Sequence, residues 1–145
     1  MSIVADILRT KAERSVHSIG PAASAFEAAQ AMARKNVGAL VVVDAGRIVG
    51  IVTERDYARK LVPMDRKPQD TPVRDIMSSP VMYVRSQHTS GECMALMTEN
   101  RLRHLPVVDE GQVIGLVSIG DLVKETISDQ QFTIEQLEHY ISGQR

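Results

Sequence analysis

The pattern of hydrophobic and polar positions divides most of the chain into two similar series of elements. The first series contains, in order, a helix over residues 2–9, a strand over 16–19, a helix over 25–35, a strand over 40–43, a turn at 44–46, a strand over 47–52 and a helix over 54–62. The strand at 40–43 is continuously apolar, which is typical of a strand buried on both faces. The last helix ends before Pro63, because a proline disfavours helical geometry in the residue that precedes it.

The same series returns after a polar linker at residues 63–71. It contains, in order, a strand over 81–84, a helix over 89–102, strands over 105–108 and 112–117, and a helix that begins near Ile119. Corresponding positions lie 65 residues apart, as for Gly50 and Gly115. A leader phrase at residues 4–8 also returns at 73–77, and each copy is expected to lead into its own repeat. The sequence therefore predicts a duplicated β-α-β-β-α unit.

The periodicity predicts three segments along the chain. Residues 1–70 hold the first repeat with its leader helix and linker, residues 71–127 the second repeat, and residues 128–145 a C-terminal amphipathic helix. In that last segment, Thr133 and Gln136 have the spacing of a capping box. The residues that share its apolar face are Ile134, Leu137, Tyr140 and Ile141. We interpret this helix as packed on its own domain, with a contact to a second chain as the alternative.

Composition and charge exclude several classes of function. The chain has 145 residues, a formal net charge of −1 and only 3% aromatic residues, which argues against binding to nucleic acid. No apolar run approaches the roughly 20 residues of a membrane span. The single cysteine, Cys93, excludes an intrachain disulfide and is expected in the core. The four histidines do not have the spacing of metal ligands. We expect a soluble cytoplasmic protein that has no metal site.

The candidate chemistry lies where a strand of each repeat runs into a helix. Residues 50–56 return as residues 115–121, and both contain glycine, two apolar residues, a hydroxyl residue, two variable positions and aspartate. Free N–H groups at a helix start favour an anion, and a carboxylate accepts hydrogen bonds from ribose hydroxyls, so this arrangement suits a nucleotide. The alternative is structural, because a hydroxyl residue followed three positions later by an acid also caps a helix.

The whole ordered set of motifs resembles the CBS-domain family, named for cystathionine β-synthase, in the tandem form called the Bateman module. The motifs are Gly-Ile-Val-Thr-Glu-Arg-Asp at 50–56, Gly-Leu-Val-Ser-Ile-Gly-Asp at 115–121 and Arg-His-Leu-Pro-Val-Val-Asp at 103–109. The resemblance implies an α+β fold in which two β-α-β-β-α repeats pack about a pseudo-two-fold axis, with short helices at both termini. It also implies two clefts for adenine nucleotides such as AMP, ADP, ATP, NAD or S-adenosylmethionine.

The resemblance assigns the residues of each cleft. One cleft would contain Thr53, Arg55 and Asp56 together with Met82, Leu102, Arg103 and His104. The other would contain Ser118 and Asp121 together with His17, Val37, Gly38 and Ala39. In both clefts the aspartate would bind ribose hydroxyls, and Arg55, Arg103 and His104 would contact phosphates.

The two clefts differ in their expected charge. Gly120 stands where the first repeat has Arg55, and Gly38 and Ala39 stand where the second has Arg103 and His104. We therefore predict that the Asp56 cleft prefers ligands with more phosphate, whereas the Asp121 cleft is wider and holds its ligand through adenine and ribose. The alternative is that the two arginines are solvated surface charges.

The sequence favours a non-catalytic, nucleotide-sensing module that signals by changing its packing or its contacts with a regulated protein. The resemblance implies a homodimer formed through helical faces, with Leu61, Leu122 and Val123 as exposed apolar positions compatible with it. One alternative is a purely structural dimer in which the hydroxyl and acid residues only cap helices. A less favoured alternative is a small nucleotide-processing enzyme with Asp56 and Asp121 as paired acids, although no general base is visible.

Overall fold

The computed structural model describes residues 2–11 and 16–142, except for the side chains of residues 140–142. The elements are α1 (Val4–Thr10), β1 (Ser18–Ile19), α2 (Ala25–Lys35), β2 (Ala39–Asp44), β3 (Arg47–Thr53), α3 (Glu54–Asp56), α4 (Ser90–Asn100), β4 (His104–Asp109), β5 (Gln112–Ser118) and α5 (Ile119–Ser142). A π-helical turn, Tyr57–Leu61, continues α3, and short 3-10 turns cover Pro68–Asp70 and Val73–Asp75. The predicted α+β class is confirmed.

The chain folds into two compact units that do not follow the repeats along the sequence. The continuous unit is Ser15–Met82, and the discontinuous unit combines Met1–Arg14 with Tyr83–Arg145. Helix α1, the leader of the first repeat, therefore belongs to the unit built from the second repeat, and the 3-10 turn at Val73–Asp75 belongs to the unit built from the first. This differs from the expectation that each leader joins its own repeat.

Equivalent backbone hydrogen bonds hold the two leaders in place. In the discontinuous unit they run from Val4 N–H to His88 O (2.8 Å), from Ala5 N–H to Ser86 O (2.9 Å) and from Ser90 N–H to Ser2 O (2.8 Å). In the continuous unit they run from Val73 N–H to Ala23 O (2.8 Å), from Arg74 N–H to Pro21 O (3.0 Å) and from Ala25 N–H to Thr71 O (2.7 Å). The two sets coincide when leader positions are shifted by 69 and body positions by 65. The duplication predicted from the sequence is therefore a duplication of structure.

Each unit contains one antiparallel hairpin, β2–β3 or β4–β5, with a register shift at the same place, between Val42 and Val43 or between Val107 and Val108. Strand β1 adds to β2 in parallel and is only two residues long. The predicted strand at residues 81–84 is wrong, because in the described structure only Val84 forms a bridge, to Val107.

The glycine of each motif makes room for the leader. A Cβ atom built on Gly115 would lie 2.6 Å from Cδ2 of Leu8, and one built on Gly50 would overlap Sδ of Met77 and lie 3.2 Å from the carbonyl oxygen of Ser78. Leu8 and Met77 are the fifth residues of the two leader phrases. The motif glycine is thus required by close packing against the exchanged leader.

Leader residues also complete both hydrophobic cores. Val4 and Ile7 are buried in the core of the discontinuous unit, and Val73 and Ile76 in that of the continuous unit. The expectation that Leu61 and Leu122 are exposed is wrong, since they are 2% and 0% exposed and belong to these cores. Apolar residues at these two positions therefore stabilise the fold and are not available to a partner.

The C-terminal segment is not a separate helix. Helix α5 runs for 24 residues from Ile119 to Ser142 without a break. The Thr133 hydroxyl donates to the carbonyl oxygen of Asp129 (3.1 Å), which is a bond within the helix and not a cap. Every residue from 127 to 139 is exposed, so this described part of the segment does not pack on its own domain as interpreted. The side chains of Tyr140 and Ile141, two residues of the predicted apolar face, lie outside the described residues.

Candidate functional site

The Asp56 corner joins β3 to α3 through reciprocal hydrogen bonds. Thr53 has an extended backbone, and the N–H of Asp56 donates to its Oγ1 (3.2 Å). In return, Oδ2 of Asp56 accepts from the Thr53 N–H (2.9 Å) and from the Thr53 hydroxyl (3.1 Å). These bonds form a capping box, so the structural alternative weighed for this motif is realised.

The second carboxylate oxygen of Asp56 is also occupied. Oδ1 accepts from the Ser78 hydroxyl (3.2 Å) and from Nζ of Lys60 (3.1 Å), which also donates to the carbonyl oxygen of Ile76 (3.1 Å). Asp56 itself is only 7% exposed. A carboxylate has about four lone-pair positions, and four donors fill those of Asp56. A ribose at this corner would have to displace one of them.

The Asp121 corner joins β5 to α5 with the same reciprocal bonds. The N–H of Ser118 donates to Oδ2 of Asp121 (2.8 Å), and the N–H of Asp121 donates to Oγ of Ser118 (3.1 Å). The cation comes from a different element, because Nζ of Lys11, just beyond α1, lies 2.9 Å from Oδ2 and donates to the carbonyl oxygen of Leu116 (2.6 Å). Among the described residues, none donates to Oδ1 of Asp121. This carboxylate therefore keeps acceptor capacity that Asp56 has used.

The electrostatics of the Asp121 corner favour the charged carboxylate. Burial acts to raise the pKa of Asp121, but the backbone N–H of Ser118 and the ammonium group of Lys11 oppose it and lower the pKa below its usual value. The group is an anion at neutral pH. An anionic carboxylate only accepts hydrogen bonds, which is what a ribose diol requires.

A cavity of about 410 Å³ adjoins the Asp121 corner, between α1 and α5. Its lining residues are Ile7, Thr10, Lys11, Asp121, Lys124, Glu125 and Ser128. Two cations and two anions thus line it, beside the hydroxyl groups of two further residues. Such a polar wall can bind the sugar and phosphate parts of a nucleotide better than it can bind an apolar ligand.

A second cavity, of about 580 Å³, lies in the continuous unit between α2 and the π-helical turn. Most of its lining is apolar, and it includes the predicted site residues Val37 and Gly38. Tyr57 also lines it, and burial raises the pKa of the tyrosine hydroxyl, which donates to the carbonyl oxygen of Ala25. This groove offers packing surface and little charge.

Within each unit, the predicted strand residues lie next to that unit's own corner. Ala39 pairs with Thr53, and His104 pairs with Ser118. Beside these pairs, the carbonyl oxygen of Gly38 accepts from Glu54 N–H (3.1 Å), and that of Arg103 accepts from Ile119 N–H (2.8 Å). The family resemblance grouped each corner with the strand residues of the other repeat, and that grouping stays a prediction.

The remaining predicted residues have mixed environments. Arg55 and Arg103 are exposed, and Met82 is 40% exposed. The half-buried His17 accepts from Val41 N–H (3.1 Å) through its carbonyl oxygen, which places it at the start of β1. Leu102 is partly buried and packs against the core of the discontinuous unit.

Sequence reasoning did not identify the lysines beside the aspartates. Lys60 follows Asp56 by four positions on a helical segment, which is a spacing that predicts an ion pair. Lys11 lies 110 residues from Asp121, so no local pattern connects them. It could have been found only by knowing that α1 packs on the second repeat.

The remaining candidate groups are Cys93 and possible metal ligands. Cys93 is fully buried, as predicted, and burial raises the pKa of its thiol. Among the described residues, no group of three or more histidine, cysteine, aspartate or glutamate side chains could hold a metal ion. Within the same residues, no helix is both long and apolar enough to cross a membrane.

Comparison with proteins of known sequence gives two relatives of different length. The chain is 40% identical over 123 residues to the CBS domain-containing protein CBSX3, mitochondrial, of Arabidopsis thaliana, covering 81% of this chain and 60% of that protein. It is 33% identical over 130 residues to the CBS domain-containing protein YhcV of Bacillus subtilis, covering 90% of this chain and 89% of that protein. The chain thus spans less than two thirds of the plant relative but most of the bacterial one.

Solved structures agree with these relatives. A signal-transduction protein with CBS domains from Burkholderia ambifaria, whose role is described as unconfirmed, matches with a TM-score of 0.86 and 52% identity, over 92% of this chain and 99% of that one. The CBS domain pair of protein MJ0100, solved with 5′-methylthioadenosine and S-adenosyl-L-methionine, matches with a TM-score of 0.78 and 25% identity, over 88% of this chain and 98% of that one. The family model for the CBS domain matches residues 4–63 and 73–128, and each match begins at a leader. With both repeats matched, the chain belongs to the CBS domain family.

Proposed function

We propose that this chain is a non-catalytic regulatory module of the cytoplasm that binds adenine nucleotides, among them AMP, ADP, ATP or NAD, at its two strand-to-helix corners. Binding would report the supply of the nucleotide to a regulated protein. The observation that carries the proposal is the Asp121 corner, where a partly buried anionic carboxylate has an oxygen available beside a polar cavity. A nucleotide changes the packing of the module only to the extent that it binds one arrangement more tightly than another.

The chemistry of the Asp121 corner supports a ribose-bearing ligand. Oδ1 of Asp121 can accept from a ribose hydroxyl while Oδ2 keeps its bond from the Ser118 N–H, so the helix cap need not break. Lys11 and Lys124 line the adjoining cavity and offer cations to phosphate oxygens. The bound 5′-methylthioadenosine and S-adenosyl-L-methionine of the MJ0100 domain pair are further support, since both ligands contain adenosine.

The two corners are expected to differ in affinity. At the Asp56 corner, a ribose must displace the Ser78 hydroxyl or Lys60, whereas at the Asp121 corner an acceptor is available. We therefore propose that the Asp121 corner fills first. The sequence-based preference of the Asp56 cleft for phosphate, through Arg55, is retained as a separate proposal, although the lysines beside Asp121 reduce the expected contrast.

A purely structural role is the second candidate, and a specific observation favours it. Both aspartates bond back to the N–H of the hydroxyl residue three positions earlier, as helix caps do. If capping is their whole function, the module acts only as a packing or dimerisation unit. This candidate predicts that no nucleotide stabilises the protein.

Thermal unfolding of the full chain with and without AMP, ATP, NAD or S-adenosylmethionine separates the two candidates. A ligand at 100 times its dissociation constant stabilises a one-site protein by about 2.7 kcal/mol, which corresponds to roughly 5–10 °C for a domain of this size. Asp121→Asn retains an oxygen that can accept the capping bond but loses the charge, so we expect a folded variant with a reduced ligand shift. Asp75→Asn removes an acid that pairs with Arg66 (2.9 Å) outside the corners and should leave the shift unchanged.

The outcomes are distinct. A ligand shift that falls in Asp121→Asn and persists in Asp75→Asn supports the proposal. Absence of any shift with all four ligands contradicts it and leaves capping as the function of both corners. An equal shift in both variants would contradict binding at the Asp121 corner.

A further inference from the structure

The C-terminal half of α5 is exposed throughout its described side chains. Residues 127–139 are exposed on all sides, although the helix runs on to Ser142. A helix of this length without tertiary contacts is marginally stable in water, because most helical stability in proteins comes from burying an apolar face. A 24-residue helix is about 36 Å long, so this half extends over roughly 20 Å of exposed surface.

The exposed apolar residues of α5 repeat with the spacing of a coiled coil. The positions are Val123, Ile127, Gln130, Ile134 and Leu137, with intervals that alternate between four and three residues. The four apolar members are 43%, 60%, 47% and 56% exposed, in that order. Alternating intervals of four and three keep these side chains on one face of the helix and define a seam for a second helix. We call these five positions the α5 seam.

The charges that flank the seam select the partner and its direction. The seven positions of a coiled-coil repeat are lettered a to g, and Ile127 and Ile134 here occupy position a. Position e is then occupied by Lys124, Gln131 and Glu138. In an antiparallel pair, e positions face e positions of the other helix. With a two-fold axis near Gln131, Lys124 of each copy faces Glu138 of the other, and both ion pairs are attractive.

A parallel pair of the same helices would lack these ion pairs. Its flanking contacts join g to e positions, which sets Thr126 against Gln131 and Thr133 against Glu138. Neither contact joins opposite charges. The same helix therefore complements itself only in the antiparallel direction, which points to a second copy of this chain as the occupant.

We propose that two copies of this chain associate through an antiparallel coiled coil of their α5 seams, in the register that sets Lys124 against Glu138. In this register Ile127 packs against Leu137 of the second copy, and Ile134 packs against Gln130. A polar residue in the seam fixes register at a cost in stability, so Gln130 limits the affinity. Lys124 takes part in both proposals, but Ile134 and Glu138 do not line the nucleotide cavity, so variants at these two positions test the association separately from nucleotide binding.

Charge reversal tests the register in the full-length chain. Lys124→Glu or Glu138→Lys alone turns both ion pairs into repulsions, and we expect the dissociation constant in sedimentation equilibrium at low salt to rise about tenfold. The double variant, Lys124→Glu with Glu138→Lys, restores two attractive pairs and should recover wild-type association. Glu135→Lys, the same charge change away from the seam, is the matched control and should have little effect.

Apolar substitutions test the seam itself. Ile134→Ser should raise the dissociation constant more than about a hundredfold, because both copies lose a buried side chain. Phe132→Ser is the control, since Phe132 is 64% exposed but lies on the face opposite the seam. Gln130→Leu should strengthen association. A gain in association cannot be explained by a variant that fails to fold. Circular dichroism confirms that each variant is folded.

Three results would overturn the proposal. One is a wild-type assembly whose mass is unchanged by Ile134→Ser. Another is a double charge variant that associates no better than the single variants, which excludes this antiparallel register. An effect of Phe132→Ser equal to that of Ile134→Ser would also count against it, because contact would then not be confined to the seam.

Discussion

Replacing Gly115 by alanine tests which leader packs on which repeat. The new Cβ would lie 2.6 Å from Cδ2 and 2.9 Å from Cδ1 of Leu8. Carbon atoms in contact normally lie about 3.5–4.0 Å apart, so Leu8 must move by about 1 Å. Overpacking of this kind costs about 1–3 kcal/mol. For a domain of this size each kcal/mol lowers Tm by roughly 2–4 °C.

The assay is thermal unfolding of single and double variants, from which the coupling free energy is obtained. Leu8→Ala removes the atoms that overlap the new Cβ, so Gly115→Ala should cost little or nothing in its presence. Met77→Ala should give no such relief, since Met77 packs against Gly50. If the costs of Gly115→Ala and Leu8→Ala simply add, or if Met77→Ala gives the relief instead, the exchange of leaders is refuted.

Three further predictions concern single side chains. Lys11 helps to hold the pKa of Asp121 below its usual value. The ion pair therefore stabilises the fold fully when the pH is above the ordinary carboxyl pKa of about 3.9. This stabilisation is lost as the pH falls through the lowered pKa of Asp121 in the folded protein. Lys11→Met should therefore lower Tm more at pH 7 than at pH 3, whereas Lys67→Met should lower it at neither. Thr89→Ala removes the cap of α4 and should cost about 1 kcal/mol in denaturant unfolding, with equal stability counting against the cap. Cys93 is buried with a raised pKa, so it should react with a thiol reagent only after unfolding, and rapid reaction of the native protein would contradict its place in the core.

The repeat was predictable because its period appears directly in the sequence. A constant offset of 65 residues fixes both hairpins and both strand-to-helix corners without any knowledge of packing. The leaders were recognised by the same means, but their partners were not. A leader phrase shows that an apolar face must be buried, and nothing in its spacing tells which repeat buries it. The hydrogen bonds of each leader and the contacts of Gly50 and Gly115 settle that question.

The motif residues of the candidate site could be predicted from the sequence, but the lysines that pair with its aspartates could not. Thr53, Asp56, Ser118 and Asp121 follow from the repeated motif, and the structure gives all four the hydrogen bonds of a capping box. Sequence spacing treats the two corners as equivalent. Their difference depends on which donors reach Oδ1 of each aspartate, and that depends on side chains brought in from other parts of the chain. Local sequence spacing does not indicate which distant side chains reach an aspartate.

For the C-terminal segment, the sequence predicts an apolar helical face but not what that face packs against. Its apolar positions were recognised on one helical face, but an amphipathic pattern is the same whether the face meets its own domain or another chain. The structure leaves residues 127–139 exposed, which counts against packing on the chain's own domain, and contact with a second chain stays a proposal.

The central claim, that the two corners bind adenine nucleotides, is tested most directly by isothermal titration calorimetry of the purified full chain with AMP, ATP and S-adenosylmethionine. The protein carries no tryptophan and only three tyrosines, so adenine retained from purification is detected first by ultraviolet absorbance and removed. We predict saturable binding of at least one ligand by the wild-type protein and its loss in the double variant Asp56→Asn with Asp121→Asn. Absence of binding by the wild-type protein, or equal binding by the folded double variant, would contradict the claim.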